Sequence, residues 1–300
     1  MGKALSLIFF FFISTICFSQ NAVVVDSLTK KALPFVTFQA DDSGFYSNEK
    51  GNFNLPENNR KLQISMLGYK TKTISSEKIN DTLFLVAEAE VLDNVILNQD
   101  RLKTVIIKPS KSTRCFGDFF LQQKREIITI LKPSETISNA YIEKIILPFS
   151  KSIGMQDDRM TRKEITAIVK INVYDVENEK PSKKKYSSNP IKITAYFKDE
   201  ISVDVSDQII VFSEKGIAVG IELFGYFDNN FKEVIRDLYV RPTLSNRENK
   251  FYESETYIYD IFRNADSLIP ILEYYPKIGV SCKNPGKNLA IGFELSVPEK

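Results

Sequence analysis

Histidine is absent from all 300 residues, and that absence removes more chemistry than any other feature of the chain. Without an imidazole there is no Ser-His-Asp triad, no Cys-His pair, no HExxH helix and no His-ligated zinc or iron. Neither GxxxxGK nor GxGxxG occurs, so the glycine-rich phosphate cradles are missing too. Cysteine is scarce, at Cys17, Cys115 and Cys282. Neither charge is in excess: 40 basic and 38 acidic residues leave +2, which gives no basic field for nucleic acid. Beyond the first twenty residues no apolar run reaches the ~18–20 residues of a membrane-spanning helix. What stays open for catalysis is carboxylate-only or Ser-Lys chemistry, and no cofactor is expected.

What is present argues for strands. The hydrophobic fraction is 43% and the aromatic fraction 12%, nearly all Phe and Tyr, scattered among Val, Ile and Thr. That is enough apolar surface for real cores, and the length suggests two domains behind an export signal. Lys3, the apolar run Ala4 to Ile16 and Cys17-Phe18-Ser19 read as a secretory signal peptide over residues 1–19. A lipoprotein reading would acylate Cys17 instead, against the large Ile16 before it. Cys115 and Cys282 are either one disulfide or two separate buried thiols; the sequence leaves both open.

From Ala22 the period is two: Val23 and Val25, the Asp26 to Lys31 turn, Pro34 to Phe38, then the Asp41-Asp42-Ser43-Gly44 turn. Phe53 and Leu55 alternate with Asn52 and Asn54, Leu62, Ile64 and Met66 repeat the pattern, and Thr82 to Val86 closes it. Six or seven short strands separated by Gly, Asn and Asp turns read as a small β-sandwich. In order, Val24-Val25-Asp26, Leu33-Pro34-Phe35-Val36, Ser47 to Phe53, Ile64 to Lys70 and Leu92 to Ile96 resemble the carboxypeptidase regulatory-like domain. The resemblance covers about residues 20–98 and implies a transthyretin-like sandwich found at the front of many exported gram-negative proteins. In metallocarboxypeptidases this module is an accessory without catalytic residues. It implies no zinc enzyme here, because the ligands such an enzyme needs include His. Gly51 is expected to turn the backbone into the Phe53 strand, Gly68 to mark a bulge or close backbone approach, and Tyr69 to cover the sandwich end.

Residues 99–114 read as a basic linker around Lys108-Pro109-Ser110, and residues 115–300 as a second, larger antiparallel sandwich of jelly-roll type. Ile165 to Tyr174 alternates as a strand with one wet face, and Gln208 to Phe212 with Ile217 to Leu223 as a hairpin turning at Gly216. Glu177 to Pro190, with Lys183-Lys184-Lys185, reads as a solvated hairpin tip, and Phe224 to Asp260 as an extended loop region. Leu272 to Val280 and Ala290 to Leu295 are expected to finish the sheet.

The fold class expected is therefore all-β, two sandwiches in tandem. Tyr252, Tyr257, Tyr259, Tyr274 and Tyr275 form the candidate recognition surface, set against plain sheet-edge packing. Together the export signal, the resemblance and the missing imidazole point to a non-catalytic envelope protein of the periplasm or outer-membrane periphery, binding protein or polysaccharide. The competing reading is a carboxylate-dependent glycoside hydrolase, with Asp199, Glu200, Asp204 and Glu222 as candidate acids. A third is an assembly partner that takes an added strand, which needs an uncovered sheet edge.

Overall fold

In the computed structural model of the chain, residues 21–56, 59–88, 102–110, 121–151, 165–230, 232–234, 240–262, 268–277 and 286–299 are described. The leader at 1–19, with Cys17, and both Cys115 and Cys282 lie outside the described residues. The chain divides into two compact units, residues 1–91 and 92–300.

The front unit holds β1 (Asn21–Asp26), β2 (Thr37–Ala40), β3 (Ser43–Tyr46), β4 (Asn52–Asn54), β5 (Lys61–Ser65), β6 (Lys72–Ser75) and β7 (Thr82–Leu85). They form a three-stranded sheet, β4-β1-β7, and a four-stranded sheet, β3-β2-β5-β6. β1 lies antiparallel to β4 and parallel to β7. The alternation read from the sequence turns one side chain in two inward, so Val24, Phe38, Leu62, Ile64, Leu83 and Leu85 share one core. Phe38 sits at its centre, with its ring 4.9 Å from that of Phe45 and 4.3 Å from that of Phe53. Burying each such side chain contributes roughly 1.5–3 kcal/mol. At the β2–β3 turn it is Asp41, not Gly44, that adopts the left-handed conformation; Gly44 lies within β3.

The second unit holds β8 (Leu102–Ile107), β9 (Arg125–Pro133), β10 (Ala140–Lys151), β11 (Thr166–Glu177), β12 (Lys180–Ser187), β13 (Ile191–Ile193), β14 (Glu200–Asp204) and β15 (Ile210–Phe212). It continues with β16 (Ile217–Phe227), β17 (Val240–Pro242), β18 (Leu244–Ser245), β19 (Tyr252–Asp260), β20 (Ile269–Pro270), α1 (Ile271–Lys277), β21 (Asn288–Leu289) and β22 (Gly292–Pro298). One sheet runs β14-β10-β22-β8, with β15 and β17 also on β10; the other runs β12-β11-β16-β9-β19-β20, with β13 on β11. Ile145, Phe212, Phe293 and Leu295 from the first meet Leu131, Val169, Ile171 and Val219 from the second in a common core, the mark of a β-sandwich.

Several local expectations change. Residues 99–114 contain a strand, β8, antiparallel to β22; its inward Val105 and Ile107 were hidden among Lys103, Lys108 and Lys111. β15 and β16 are not a hairpin, because β15 pairs with β10 in one sheet and β16 lies between β11 and β9 in the other. The Ser213–Gly216 turn carries the chain across the sandwich, and Gly216, at φ +92°, passes so close to Leu131 O that a Cβ there would overlap it. The Lys-rich stretch is an edge strand, β12, joined to β11 through Asn178 and Glu179, both at positive φ as a type I′ turn requires. Tyr252–Asp260 is a strand paired with β9 over nine residues, not a loop, and Ile271–Lys277 is a short helix, not a strand.

Candidate functional site

In the front unit the signature residues work on the backbone. Asp26 accepts from the backbone N–H groups of Leu28 and Thr29 and, through Oδ2, from Tyr69 Oη at 2.9 Å. Those donors hold its carboxyl below the usual range, led by the Thr29 N–H, and burial pushes the Tyr69 phenol up. The buried Ser47 hydroxyl donates to Leu33 O and accepts from Val36 N–H. Gly51, at φ +76°, approaches β1 so closely that a Cβ would lie 2.8 Å from Val24 O, whereas at Gly68 a Cβ would meet nothing within 4 Å. The motif thus closes turns and joins strands.

The densest chemistry lies on the outer face of the seven-stranded sheet. Register places Glu126 of β9 beside Glu222 of β16, Glu222 beside Lys170 of β11, and Asn172 and Tyr174 on the same face. Glu126 is 1% exposed, Glu222 4% and Asn172 0%. Asn172 Nδ2 donates to Glu126 Oε1 and to Glu222 Oε2, each at 2.8 Å, so these two oxygens lie no farther apart than twice that length. Tyr174 Oη donates to Glu126 Oε2 at 2.7 Å. Lys184 of β12 reaches in from the edge, its Nζ 3.8 Å from Glu222 Oε2 and 5.2 Å from the centre of the Tyr174 ring, while Lys170 Nζ lies 5.2 Å from that of Phe224. Burial, against the attraction of Lys184 and aided by the charge of Glu222, pushes the Glu126 carboxyl up to about 7. The same burial raises the Tyr174 phenol and lowers the Lys170 ammonium.

This cluster escaped the sequence reading. Lys170 and Asn172 alternate with buried aliphatics, and polar residues at that spacing read as a wet face. Here they are buried, packed beside Ile128, Ile130, Val176 and Ala218, with Tyr257 and Tyr259 against the same patch. The available signal was Glu126 itself, a single acid at the head of the apolar run Ile127 to Leu131.

The five tyrosines do not share one surface. On β19, Tyr252 turns inward and donates from Oη to Ile291 O at 2.6 Å, with burial driving its phenol far up. Tyr257 and Tyr259 turn outward beside the acid cluster, and Tyr257 donates to Glu255 at 2.6 Å. Burial first, then that bond, pushes the Tyr257 phenol up to about 12. Tyr274 is buried on α1 between Arg125 and Gln122, donating to Gln122 Oε1 and accepting from Arg125. The side chain of Tyr275 is outside the described residues. A shallow depression of about 340 Å³ lies between β19 and α1, lined by Thr256, Tyr257, Ile271, Leu272 and Asn288.

The four candidate acids do not converge either. Glu200 and Asp204 project from the outer face of one sheet, Asp199 is exposed and 3.3 Å from Lys151 Nζ, and Glu222 is buried on the outer face of the opposite sheet. Sandwich faces are separated by two sheets ~10 Å apart, beyond any shared substrate bond. Among the described residues no group of three or more Cys, Asp or Glu is placed to hold a metal, and no helix is long and apolar enough to cross a membrane.

A family model described as a CarboxypepD_reg-like domain matches residues 22–97, the stretch that carries the Asp26–Tyr69 bond, Ser47 and Gly51. Those residues are similar to the carboxypeptidase regulatory-like domain. No curated protein matches the chain. Among solved structures, an infectious bursal disease virus structure (Gx strain) is similar at 10% identity and a TM-score of 0.26, over 88% of this chain and 57% of that one. The chain thus spans little more than half of that structure's length, and a likeness so slight bears on neither fold nor function.

Proposed function

We propose that the protein is an exported, non-catalytic component of a gram-negative envelope that serves as a binding scaffold, accepting an extended segment of a partner protein on β8; polysaccharide is the other ligand class. The observation that carries this reading is the contrast between sheet edges. β12 is guarded by Lys180, Lys183, Lys184 and Lys185, by Pro181 and by two breaks in register, and β20 is two residues long and ends in Pro270. β14 displays Glu200 and Asp204. β8 carries a single exposed lysine, Lys103, and no proline: it is the last strand of its sheet among the described residues, and its outward Leu102 and Ile106 are 53% and 59% exposed. An outermost strand flanked by exposed apolar side chains suits strand addition. The module at 22–97 and the leader-like residues 1–19 support an exported setting. The test is a photocrosslinking residue at Thr104, on the same outward row. Capture of one protein from intact cells supports the reading; equal yields from Thr104 and from a control site at Lys183 on β12 would oppose it.

A further inference from the structure

The front unit carries an exposed apolar patch that its core does not use. β7 turns Leu83 and Leu85 inward and Phe84 outward, and Val86 just beyond it is outward as well. Phe84 is 42% exposed, Val86 52% and, on the turn after β1, Leu28 86%. Hydrogen bonds hold that turn against β7. Ser27 N–H donates to Leu85 O at 2.8 Å, while Lys30 Nζ donates to Ser27 O and lies 4.6 Å from the centre of the Phe84 ring. From the other side Lys72 Nζ donates to Phe84 O at 3.3 Å and Lys70 N–H to Val86 O at 2.9 Å. Glu88 N–H donates to Gly68 O, which brings Leu67, 38% exposed, to the same end of the strand.

The charge around this patch is mostly of one sign. Residues 26–31, 67–72 and 84–88 carry Lys30, Lys31, Lys70 and Lys72 against two acids, Asp26 and Glu88. Asp26 is 6% exposed and already accepts from Leu28, Thr29 and Tyr69, so Glu88 is the one exposed carboxylate on these segments. Strand addition is closed here, because the Phe84 and Val86 carbonyls take the bonds from Lys72 and Lys70. A protein partner suits the patch poorly, since lysine is depleted at protein–protein interfaces. Apolar side chains ringed by lysines match a surface that is apolar beneath and negative at its headgroups. We propose that the β7 face of the front unit docks on an anionic phospholipid surface. Leu28, Phe84 and Val86 enter the headgroup boundary, and Lys30, Lys31, Lys70 and Lys72 meet the phosphates. Each lysine near such a surface raises affinity about fivefold, an attraction that salt screens. The site uses the front unit alone and is independent of strand addition on β8.

The test is co-sedimentation with vesicles of the chain from residue 20 on, so that the apolar run Ala4 to Ile16 plays no part. Vesicles of phosphatidylcholine with about a third phosphatidylglycerol are compared with phosphatidylcholine alone. The chain should bind the anionic vesicles at low salt and be released from them at high salt, and it should leave the neutral ones unbound. Lys30→Glu with Lys72→Glu should weaken binding at least about tenfold, and so should Leu28→Ser with Val86→Ser. The control pair Lys61→Glu with Lys78→Glu makes the same charge change at exposed sites, at the start of β5 and ahead of β7, and should stay within about threefold of wild type. The proposal is overturned if the wild type binds neither vesicle or binds both equally, results that need no variant to fold. It is also overturned if the control pair weakens binding as much as the Lys30 and Lys72 pair. Retention on immobilised polyglutamate without vesicle binding would assign the patch to an acidic protein segment and overturn it equally.

Discussion

Gly220 on β16 leaves open the space that the Glu126 carboxyl on β9 fills; a Cβ on Gly220 would overlap Glu126 Oε1 and Cδ. The two residues therefore act as one unit, and neither is intelligible alone. Gly220→Ala should cost about 3 kcal/mol, because it dislodges a buried, hydrogen-bonded acid from Asn172 and Tyr174. In the Gly220→Ala, Glu126→Ala pair much of that cost should disappear, with a coupling of at least about 1 kcal/mol in a urea-denaturation cycle. Additive effects would mean that the slot and the acid are unrelated.

The front unit should lose stability in acid. The Asp26 carboxyl is held below its ordinary 3.8 by the N–H of Thr29 first, then by Tyr69 and Leu28. A depressed folded-state value gives stabilisation that is present above the unfolded value and lost as pH falls through the folded one. Hydrogen exchange of β1 and β7 amides should therefore quicken on acidification. Tyr69→Phe, which removes the 2.9 Å bond, should weaken protection at neutral pH and flatten that acid response.

Two glycines of the module, similar in sequence, should behave differently. Gly68→Ala meets open space, so its cost is only that of positive φ, about 1 kcal/mol. Gly51→Ala adds a close contact with Val24 O and Leu33 N, and should cost about 3 kcal/mol in denaturant melts that resolve the front unit. Equal costs would show that Gly51 is needed only for its conformation.

The lysines of β12 should keep that edge solitary. Lys185 makes only a part-exposed ion pair, 3.4 Å to Asp175, so its loss should barely change stability. Replacing Lys183 and Lys185 with Thr should instead raise self-association in sedimentation velocity, because the edge loses its charge guard. An unchanged monomer fraction would assign those lysines another role.

How far the chain can be read from sequence depends on which face of a strand is concerned. Inward faces were mostly legible: Phe38 and Ile64 in front, and Val169, Ile171 and Val219 behind, alternate as strand periodicity demands, but β1 was read one residue out of phase, since Ala22 and Val24 enter the core rather than Val23 and Val25. Outward faces were not, because Asn172, Glu222 and Glu126 satisfy one another across three strands, and that partnership depends on register, which single-sequence alternation leaves open. Strand partners were also beyond reach. Nothing local to Ser213-Glu214-Lys215-Gly216 distinguishes a hairpin turn from one that changes sheets, and only the pairing of β15 with β10 decides it. The tyrosines divided for the same reason: Tyr252 and Tyr257 differ by five positions on one strand, so alternation sends the first into the core and the second outward.

Recruitment of a partner along β8 should be visible in quantitative affinity purification from crosslinked envelopes of native cells. The wild-type chain would be compared with a variant carrying Leu102→Lys and Ile106→Lys, both at exposed positions where the fold should be retained. The account expects one protein near stoichiometry with the wild type and at least tenfold less of it with the variant. Recovery of the same protein in equal amount from both, or of none from the wild type, would contradict it.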